Sequence, residues 1–186
     1  MDAGSRRQAV ALGERHAVAV ALLMAALGAI GAGCSAPAAF DLEANKNLVR
    51  DFTEATNAAD WDRLADLMAE DFARHSAATA GPPVRSRDEF IVLQKGFLES
   101  FPDQHVRIEE ILAEDDLVAI RAVYSATQTG PMGDLPATGN RVDAPFLGIL
   151  RIESGRIAEL WVEWDNLAML TQLGLFPPPR EGGEDR

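Results

Sequence analysis

Four strand-like segments fill most of the second half of the chain, and they limit the fold more than any other feature. The segments are residues 105–113, 117–128, 140–152 and 156–165. Short polar pieces, 114–116 and 153–155, join the first pair and the last pair, and their composition is typical of hairpin turns. Strands joined by tight turns pair antiparallel. The sequence therefore predicts an antiparallel meander.

Helical patterns flank these strands. Apolar residues recur at helical spacing over 42–55 and again over 61–68, and a capping box opens a third helix over 86–100. A last helix, 166–173, follows the final strand. This order favours the α+β class, with helices packed on one face of a curved antiparallel sheet. Such a fold forms a cone that can enclose an internal cavity.

The first 34 residues resemble a bacterial lipoprotein signal. Arginines precede an uncharged run over 17–33, which is short for a membrane-spanning helix but suits the apolar core of an export signal. Small residues then lead to Cys34, the single cysteine. We predict that Cys34 is lipidated and that the protein is exported. Ordinary secretion with cleavage near Ala36 or Ala39, or an uncleaved anchor, is the alternative.

The remainder of the chain divides into a tether, a folded domain and a tail. We assign them to residues 35–41, 42–176 and 177–186, and we expect the Pro-, Gly- and charge-rich tail to be disordered. The net charge of −12 repels nucleic acid and anionic lipid head groups, and no basic patch offsets it. We therefore expect no nucleic-acid partner, and membrane contact only through a lipid on Cys34.

The last strand-like segment first suggests a functional site. Because side chains alternate between the two faces of a strand, Trp161, Glu163 and Asp165 share one face. Apolar groups, including Trp164, occupy the other face. Two acids beside an indole are unusual on a plainly solvated strand. We interpret them as the wall of a pocket.

Short pieces along the chain, taken in order and spacing, resemble one family. They are NKNLVR (45–50), DFARH (71–75), FPD (101–103), VAIR (118–121), TQTG (127–130), PATG (136–139), GRI (155–157), WVEWD (161–165) and QLG (172–174). On these pieces the chain resembles the SnoaL-like polyketide cyclases of the nuclear transport factor 2-like superfamily. The resemblance implies the same cone fold, usually dimeric. It also implies ring closure by an intramolecular aldol step without metal or cofactor.

The resemblance gives Asp165 a chemical role, because it matches the aspartate that acts as acid and base in the cyclases. An aldol closure needs a base to remove a proton next to a carbonyl and an acid to protonate the new alkoxide. One buried carboxyl group with a raised pKa can do both in turn, and burial beside Trp161 would raise that pKa. The alternative is that Asp165 caps the helix beginning at Asn166.

Two further charged residues are candidates. His75 ends a short extended piece at a position that often faces the cavity in the family, where it could orient a carbonyl group or exchange a proton near neutral pH. Its alternative is a partly exposed loop histidine. Arg121 interrupts an apolar strand and could pair with Glu163 or Asp165 or hold an enolate oxygen. Its alternative is the outer face of the sheet, paired with a neighbouring acid.

Gln128 departs from the family, whose members commonly carry histidine at this position. Glutamine can form hydrogen bonds but cannot shuttle a proton at neutral pH. Tyr124 and Gln128 also lie on the strand face opposite Arg121, so the two sets cannot both line one cavity. The candidate set is Asp165 and His75 for catalysis, and Trp161, Arg121, Gln128 and Glu163 for substrate binding.

Residues for metal or nucleotide chemistry are not apparent in the sequence. His75 and His105 are the histidines outside the signal segment, and neither has a partner at ligand spacing, so we expect no zinc site and no cofactor. No phosphate-binding loop or serine elbow appears after residue 34.

Two functional hypotheses remain. The first is a cofactor-free cyclase, isomerase or lyase that acts on a small apolar carbonyl compound. The second is a non-catalytic domain of the same fold that binds a small ligand or another protein. The strand over 140–152 is apolar on both faces near its middle, so we also expect a homodimer formed through the outer sheet face.

Overall fold

A computed structural model describes residues 40–78 and 81–177. The predicted signal, Cys34 and most of the predicted tether and tail lie outside these residues. Among the described residues, no helix combines the length and apolarity needed to cross a bilayer.

The described residues contain four helices and five strands, four of them consecutive along the chain, in agreement with the predicted α+β class. The helices are α1 (Leu42–Asn57), α2 (Trp61–Leu67), α3 (Arg87–Ser100) and α4 (Asn166–Gln172). The strands are β1 (Met68–His75), β2 (His105–Glu114), β3 (Leu117–Thr127), β4 (Arg141–Glu153) and β5 (Arg156–Trp164). The predicted order of elements is confirmed.

The strands form one curved, open sheet in the order β1-β5-β4-β3-β2. The meander from β2 to β5 is antiparallel, as predicted. The sheet as a whole is mixed, because β1 pairs parallel with β5. The sequence indicated only a short extended piece in this region. A parallel partner far along the chain leaves no turn signal beside it, which explains the omission.

Side-chain oxygens fix the start of each helix. Asp41, Asp60, Ser86 and Asp165 each accept a hydrogen bond from the backbone N–H three residues later. These bonds satisfy amide groups that have no partner within the helix, so the helices begin at defined residues. Each cap therefore fixes the residue at which its helix begins to pack over the sheet.

The two faces of the sheet differ sharply in burial. Along β4, alternate residues are buried and exposed over the length of the strand. The buried face packs against the helices and forms the core, in which Phe72, Phe90 and Phe101 are almost fully buried. The opposite face carries ion pairs and exposed apolar side chains.

Candidate functional site

A cavity of about 480 Å³ lies between the helices and the inner face of the sheet. Most of its wall is aromatic or aliphatic. This apolar part includes Val49, Phe52, Phe90, Leu93, Phe97, Phe101, Ile120, Phe146, Leu150, Leu160, Val162, Trp164 and Met169. Cavities of this size and character hold small organic molecules.

Three aromatic rings form one contiguous part of the wall. Trp164 stacks on Phe146 with ring centroids 4.4 Å apart. It also meets the ring of Tyr124 edge to face, with centroids 5.6 Å apart. Because the rings brace one another, the indole of Trp164 is held as a fixed surface for a flat apolar ligand.

Several polar groups of the wall are already bonded to the protein. The hydroxyl groups of Thr53 and Thr56 donate to backbone carbonyls one helical turn earlier. Asn57 bonds through its amide group to both the N–H and the carbonyl of Val106. The bonds of Asn57 therefore join the end of α1 to β2, whereas the two threonine bonds stay within α1.

A tyrosine and a glutamine form a second polar pair in the wall. The Tyr124 hydroxyl donates to Gln104 Oε1 at 3.2 Å, and burial raises the pKa of Tyr124 well above its ordinary value, with a smaller contribution from Asp103. Gln104 Nε2 is buried and has no hydrogen-bond partner within the described residues. Rotating the amide group would let Nε2 donate to Tyr124 instead, which would free the phenol proton for a ligand oxygen.

Arg74 is the charged residue of the wall, within the part of the chain that the structure describes. It pairs in the sheet with Leu160, another wall residue, so both side chains point inward. Burial lowers the pKa of its guanidinium, and the nearby Glu163 carboxylate partly opposes this effect. Arginine nevertheless remains a cation at neutral pH.

The face of β5 that carries Trp161 and Glu163 does not line the cavity, so the pocket-wall interpretation is wrong. Leu160, Val162 and Trp164 line the cavity. Trp161 and Glu163 lie on the outer face and are exposed. Alternation had defined the two sets, but not which set faces inward. The structure places the fully apolar set inside because the helices cover that face.

Asp165 lies at the end of β5 and is not among the cavity-lining residues. It is exposed, and its Oδ1 accepts a hydrogen bond from the Ala168 N–H at 2.9 Å. This is the helix-capping alternative. Its neighbours on both sides, Trp164 and Asn166, do line the cavity, so the carboxylate lies beside the cavity wall rather than within it.

His75 also lies on the outer face of the sheet. Its Nε2 is 2.8 Å from a carboxylate oxygen of Glu159, and its ring stacks on Trp161 with centroids 5.0 Å apart. The structure therefore places His75 beside Trp161 on the outer face, and neither residue lines the cavity.

Arg121 takes its outer-face alternative. It forms ion pairs with Glu109 and, at 3.1 Å, with Glu110, both on the neighbouring strand β2. These hydrogen bonds raise the pKa of Arg121 and lower that of Glu110. The pKa of Glu109 is lowered mainly by its hydrogen bond with Arg107, and Arg121 adds to this effect. Arg121 therefore pairs with neighbouring acids and does not reach Glu163 or Asp165 in a cavity.

Gln128 is fully buried but does not line the cavity. Its Nε2 donates to the Pro136 carbonyl at 3.2 Å, and its Oε1 accepts from the Thr138 hydroxyl at 2.8 Å. It thereby anchors the loop over 129–139, which contributes Met132 and Leu135 to the wall. Its contribution to the site is indirect.

Sequence reasoning missed Arg74, although a signal for it was present. Phe72 is a large apolar residue that belongs inside, and side chains alternate along a strand. Arg74 therefore shares the inner face with Phe72, and His75 must point outward. On this strand the apolar Phe72, rather than the chemically suggestive His75, identifies the side that faces inward.

The cavity wall offers apolar surface, one guanidinium, a phenol, hydroxyl groups and amide groups. Within the described residues it presents no carboxylate, imidazole or thiol, the side chains that usually bind divalent metals or act as a general base near pH 7. The arrangement suits binding and polarisation of a ligand oxygen.

Comparison with known proteins supports the same family as the motifs. The sequence profile of the SnoaL-like polyketide cyclase family matches residues 46–173. Among curated proteins, the aklanonic acid methyl ester cyclase DauD of Streptomyces sp. (strain C5) is 27% identical over 139 residues, covering 73% of this chain and 85% of DauD.

Solved structures with a similar fold also match this chain. IdmH from Streptomyces antibioticus, a suggested polyketide cyclase, is 31% identical with a TM-score of 0.63, covering 70% of this chain and 99% of IdmH. AclR from Streptomyces galilaeus, a suggested hydroxylase, is 28% identical with a TM-score of 0.64, covering 73% of this chain and 99% of AclR. Because the family profile matches most of its length, this chain belongs to the SnoaL-like polyketide cyclase family, within the nuclear transport factor 2-like superfamily.

Proposed function

We propose that this chain binds a compact, largely apolar carbonyl compound in the cavity between its helices and sheet. The main support for this proposal is the cavity itself, whose volume of about 480 Å³ falls within the range of small-molecule sites. Its apolar wall favours burial of a hydrocarbon or aromatic body, and the Tyr124–Gln104 pair and Arg74 offer hydrogen bonds to oxygen atoms.

The binding proposal can be tested by filling the cavity. Leu93 lines it from α3, whereas its neighbour Val92 is 70% exposed. We expect Leu93→Trp to weaken binding of an aromatic ketone probe, 2-acetylnaphthalene, by at least about tenfold, because the new ring occupies the space the probe needs. Val92→Trp is the matched control and should bind like the wild type. Equal affinities in all three proteins would contradict the proposal.

A cofactor-free cyclase or isomerase activity is the second candidate. Two observations favour it, namely the family relationship with named ester cyclases and the position of Asp165 between two wall residues. From beside the wall, the Asp165 carboxylate would remove a proton next to the ligand carbonyl, and its acid form would return the proton to the alkoxide. The phenol of Tyr124 would hydrogen-bond to the developing enolate oxygen.

This chemistry has a direct assay that does not require the natural substrate. A protein that removes such a proton accelerates exchange of that hydrogen with D₂O in a β-keto ester probe, and NMR measures the rate. Acceleration that disappears in Asp165→Asn would support the catalytic candidate. Binding of the probe without any acceleration would leave the ligand-binding function alone.

Export and lipidation are proposed on the sequence of the first 34 residues. A lipid on Cys34 would hold an acidic protein at a membrane that its own charge repels. Labelled palmitate should enter the full-length chain expressed in a bacterial host, and Cys34→Ser should abolish the label. Label that persists in Cys34→Ser would contradict the assignment.

A homodimer through the outer sheet face is also proposed. Leu147 and Ile149 on β4 are 63% and 44% exposed on that face, and Leu112 on β2, on the far side of β3, is 71% exposed. A row of exposed apolar side chains on a sheet is typical of a contact between subunits. A second copy related by two-fold symmetry would cover the same row on both chains.

A further inference from the structure

We infer that the ligand of the cavity is a carboxylic acid, whose carboxylate pairs with the guanidinium of Arg74 while its apolar body fills the remaining space. This inference rests on the proposed ligand-binding function and specifies the chemical class of its ligand. It would distinguish this protein from a relative named for a methyl ester, in which that carboxyl group carries no charge.

The direction of Arg74 follows from the sheet. In the parallel pairing of β1 with β5, Arg74 lies opposite Leu160 and His75 lies opposite Trp161. Leu160 lines the cavity, whereas the stacked rings of His75 and Trp161 lie on the outer face. Residues at paired positions point to the same side of a sheet, so the Arg74 side chain points towards the cavity.

The electrostatic setting of Arg74 favours an anionic partner. A cation at an apolar wall loses hydration, and this loss is the main reason that the pKa of Arg74 is lowered. A ligand carboxylate would add a charge-assisted hydrogen-bonded pair at that point. The planar guanidinium can donate two parallel N–H bonds to the two oxygens of one carboxylate, which makes this pairing geometrically selective.

The rest of the wall does not oppose an anion. Within the described residues, no aspartate or glutamate lines the cavity, although the chain as a whole is strongly acidic. Salt at physiological concentration screens the distant surface charges over about 8 Å. The local environment of Arg74, rather than the net charge, therefore determines how strongly a carboxylate binds.

Glu163 is the acid that competes for Arg74. Its carboxylate accepts a hydrogen bond from the Ala77 N–H at 3.0 Å and attracts the Arg74 guanidinium electrostatically. It lies on the outer face, so it partly offsets the charge of Arg74 without occupying the cavity. Neutralising Glu163 should therefore strengthen the binding of an anionic ligand, whereas neutralising Arg74 should weaken it.

The experiment compares 2-naphthoic acid with its methyl ester, which share the ring system and differ in charge. Calorimetric titration at pH 7 gives the dissociation constant of each compound with the folded protein. We expect wild type to prefer the acid by at least about tenfold, the effect of one charge-assisted hydrogen-bonded pair. Arg74→Gln should reduce this preference to about one while still binding the ester, and Glu163→Gln should increase it.

Arg107→Gln is the control, because this exposed arginine lies on β2 and pairs with Glu109. It should keep the wild-type preference. Equal affinities of wild type for acid and ester, or a preference that survives Arg74→Gln, would overturn the inference while the cavity-binding function stands. Failure of both compounds to bind to wild type would overturn both proposals.

Discussion

The carboxylate of Asp165 accepts a hydrogen bond from the backbone N–H of Ala168 at 2.9 Å and so caps α4. This bond accounts for an aspartate at the end of β5 without any catalytic role. The cap also positions α4, which contributes Met169 and Leu170 to the cavity wall. Structural and catalytic roles of Asp165 can therefore coincide, and a pair of variants separates them.

The first prediction concerns that pair. Asparagine caps helices about as well as aspartate, so Asp165→Asn should keep the wild-type free energy of unfolding, whereas Asp165→Ala should lose about 1 kcal/mol. Urea denaturation measures both. If the proton-exchange activity falls in Asp165→Asn at unchanged stability, the residue acts chemically. If the activity of Asp165→Asn is unchanged, Asp165 serves only as the cap of α4.

The second prediction uses the tryptophan of the wall as a reporter. Of the three tryptophans, Trp164 lines the cavity, and Trp161 lies on the outer face. A bound aromatic ligand should quench or shift the emission of Trp164 because the two rings come into contact. Fluorescence titration should show this change in wild type and in Trp161→Phe, and lose it in Trp164→Phe. The opposite pattern would place the ligand outside the cavity.

How far the sequence could predict this protein depends on the level of structure. Segment types and order followed from local patterns, since turn residues and helix caps act over a few positions. The antiparallel pairing of β2 with β3 and of β4 with β5 followed from the short turns that join them. The parallel addition of β1 to β5 could not be predicted in this way, because the two strands are far apart in the chain.

The candidate site was harder to predict for a related reason. Alternation separates two faces of a strand but does not state which face the helices cover. On β5 the acids suggested chemistry, and that face proved to be the outer one. On β1 the buried Phe72 would have identified the inner face and with it Arg74. Apolar residues are the better guide to direction, because burial determines it.

The third prediction concerns the buried amide of Gln128. Its two hydrogen bonds hold Pro136 and Thr138 of the loop that completes the wall. Gln128→Ala should lower the free energy of unfolding by about 1 to 3 kcal/mol, because two part-buried hydrogen bonds are lost and each is worth about 0.5 to 1.5 kcal/mol. Thermal or urea denaturation checks this. Thr129→Ala, at an exposed neighbour, should have little effect. Similar losses in both variants would exclude a specific anchoring role.

The fourth prediction is a pH dependence at Asp103. The Thr127 N–H and hydroxyl group both donate to its carboxylate at 2.7 Å, and the backbone bond is the main reason that the pKa of Asp103 is lowered. A depressed folded-state pKa stabilises the fold above the ordinary aspartate pKa of about 3.9, and the stabilisation disappears as the pH falls through the folded value.

Between about pH 5 and pH 7, above the ordinary pKa of aspartate, Asp103→Asn should therefore be less stable than wild type by a constant amount. In more acid solution this difference in stability should shrink. Urea denaturation across the pH range measures the difference. Thr127→Val, which removes the hydroxyl but keeps the backbone bond, should show a smaller version of the same trend. A difference that stays constant down to the acid limit would contradict the linkage.

The fifth prediction tests the proposed dimer at Leu147. This side chain is 63% exposed on the outer sheet face, and its cross-strand partners there are Arg121 and Glu163. Leu147→Glu would put a charge from each copy into the apolar contact and should weaken dimerisation by at least about 100-fold. Sedimentation of the domain over a range of concentrations gives the dissociation constant. Val92→Glu is the control, because this residue is 70% exposed on α3, and it should leave the dimer intact. A wild-type protein that sediments as a monomer at every concentration would refute the proposal.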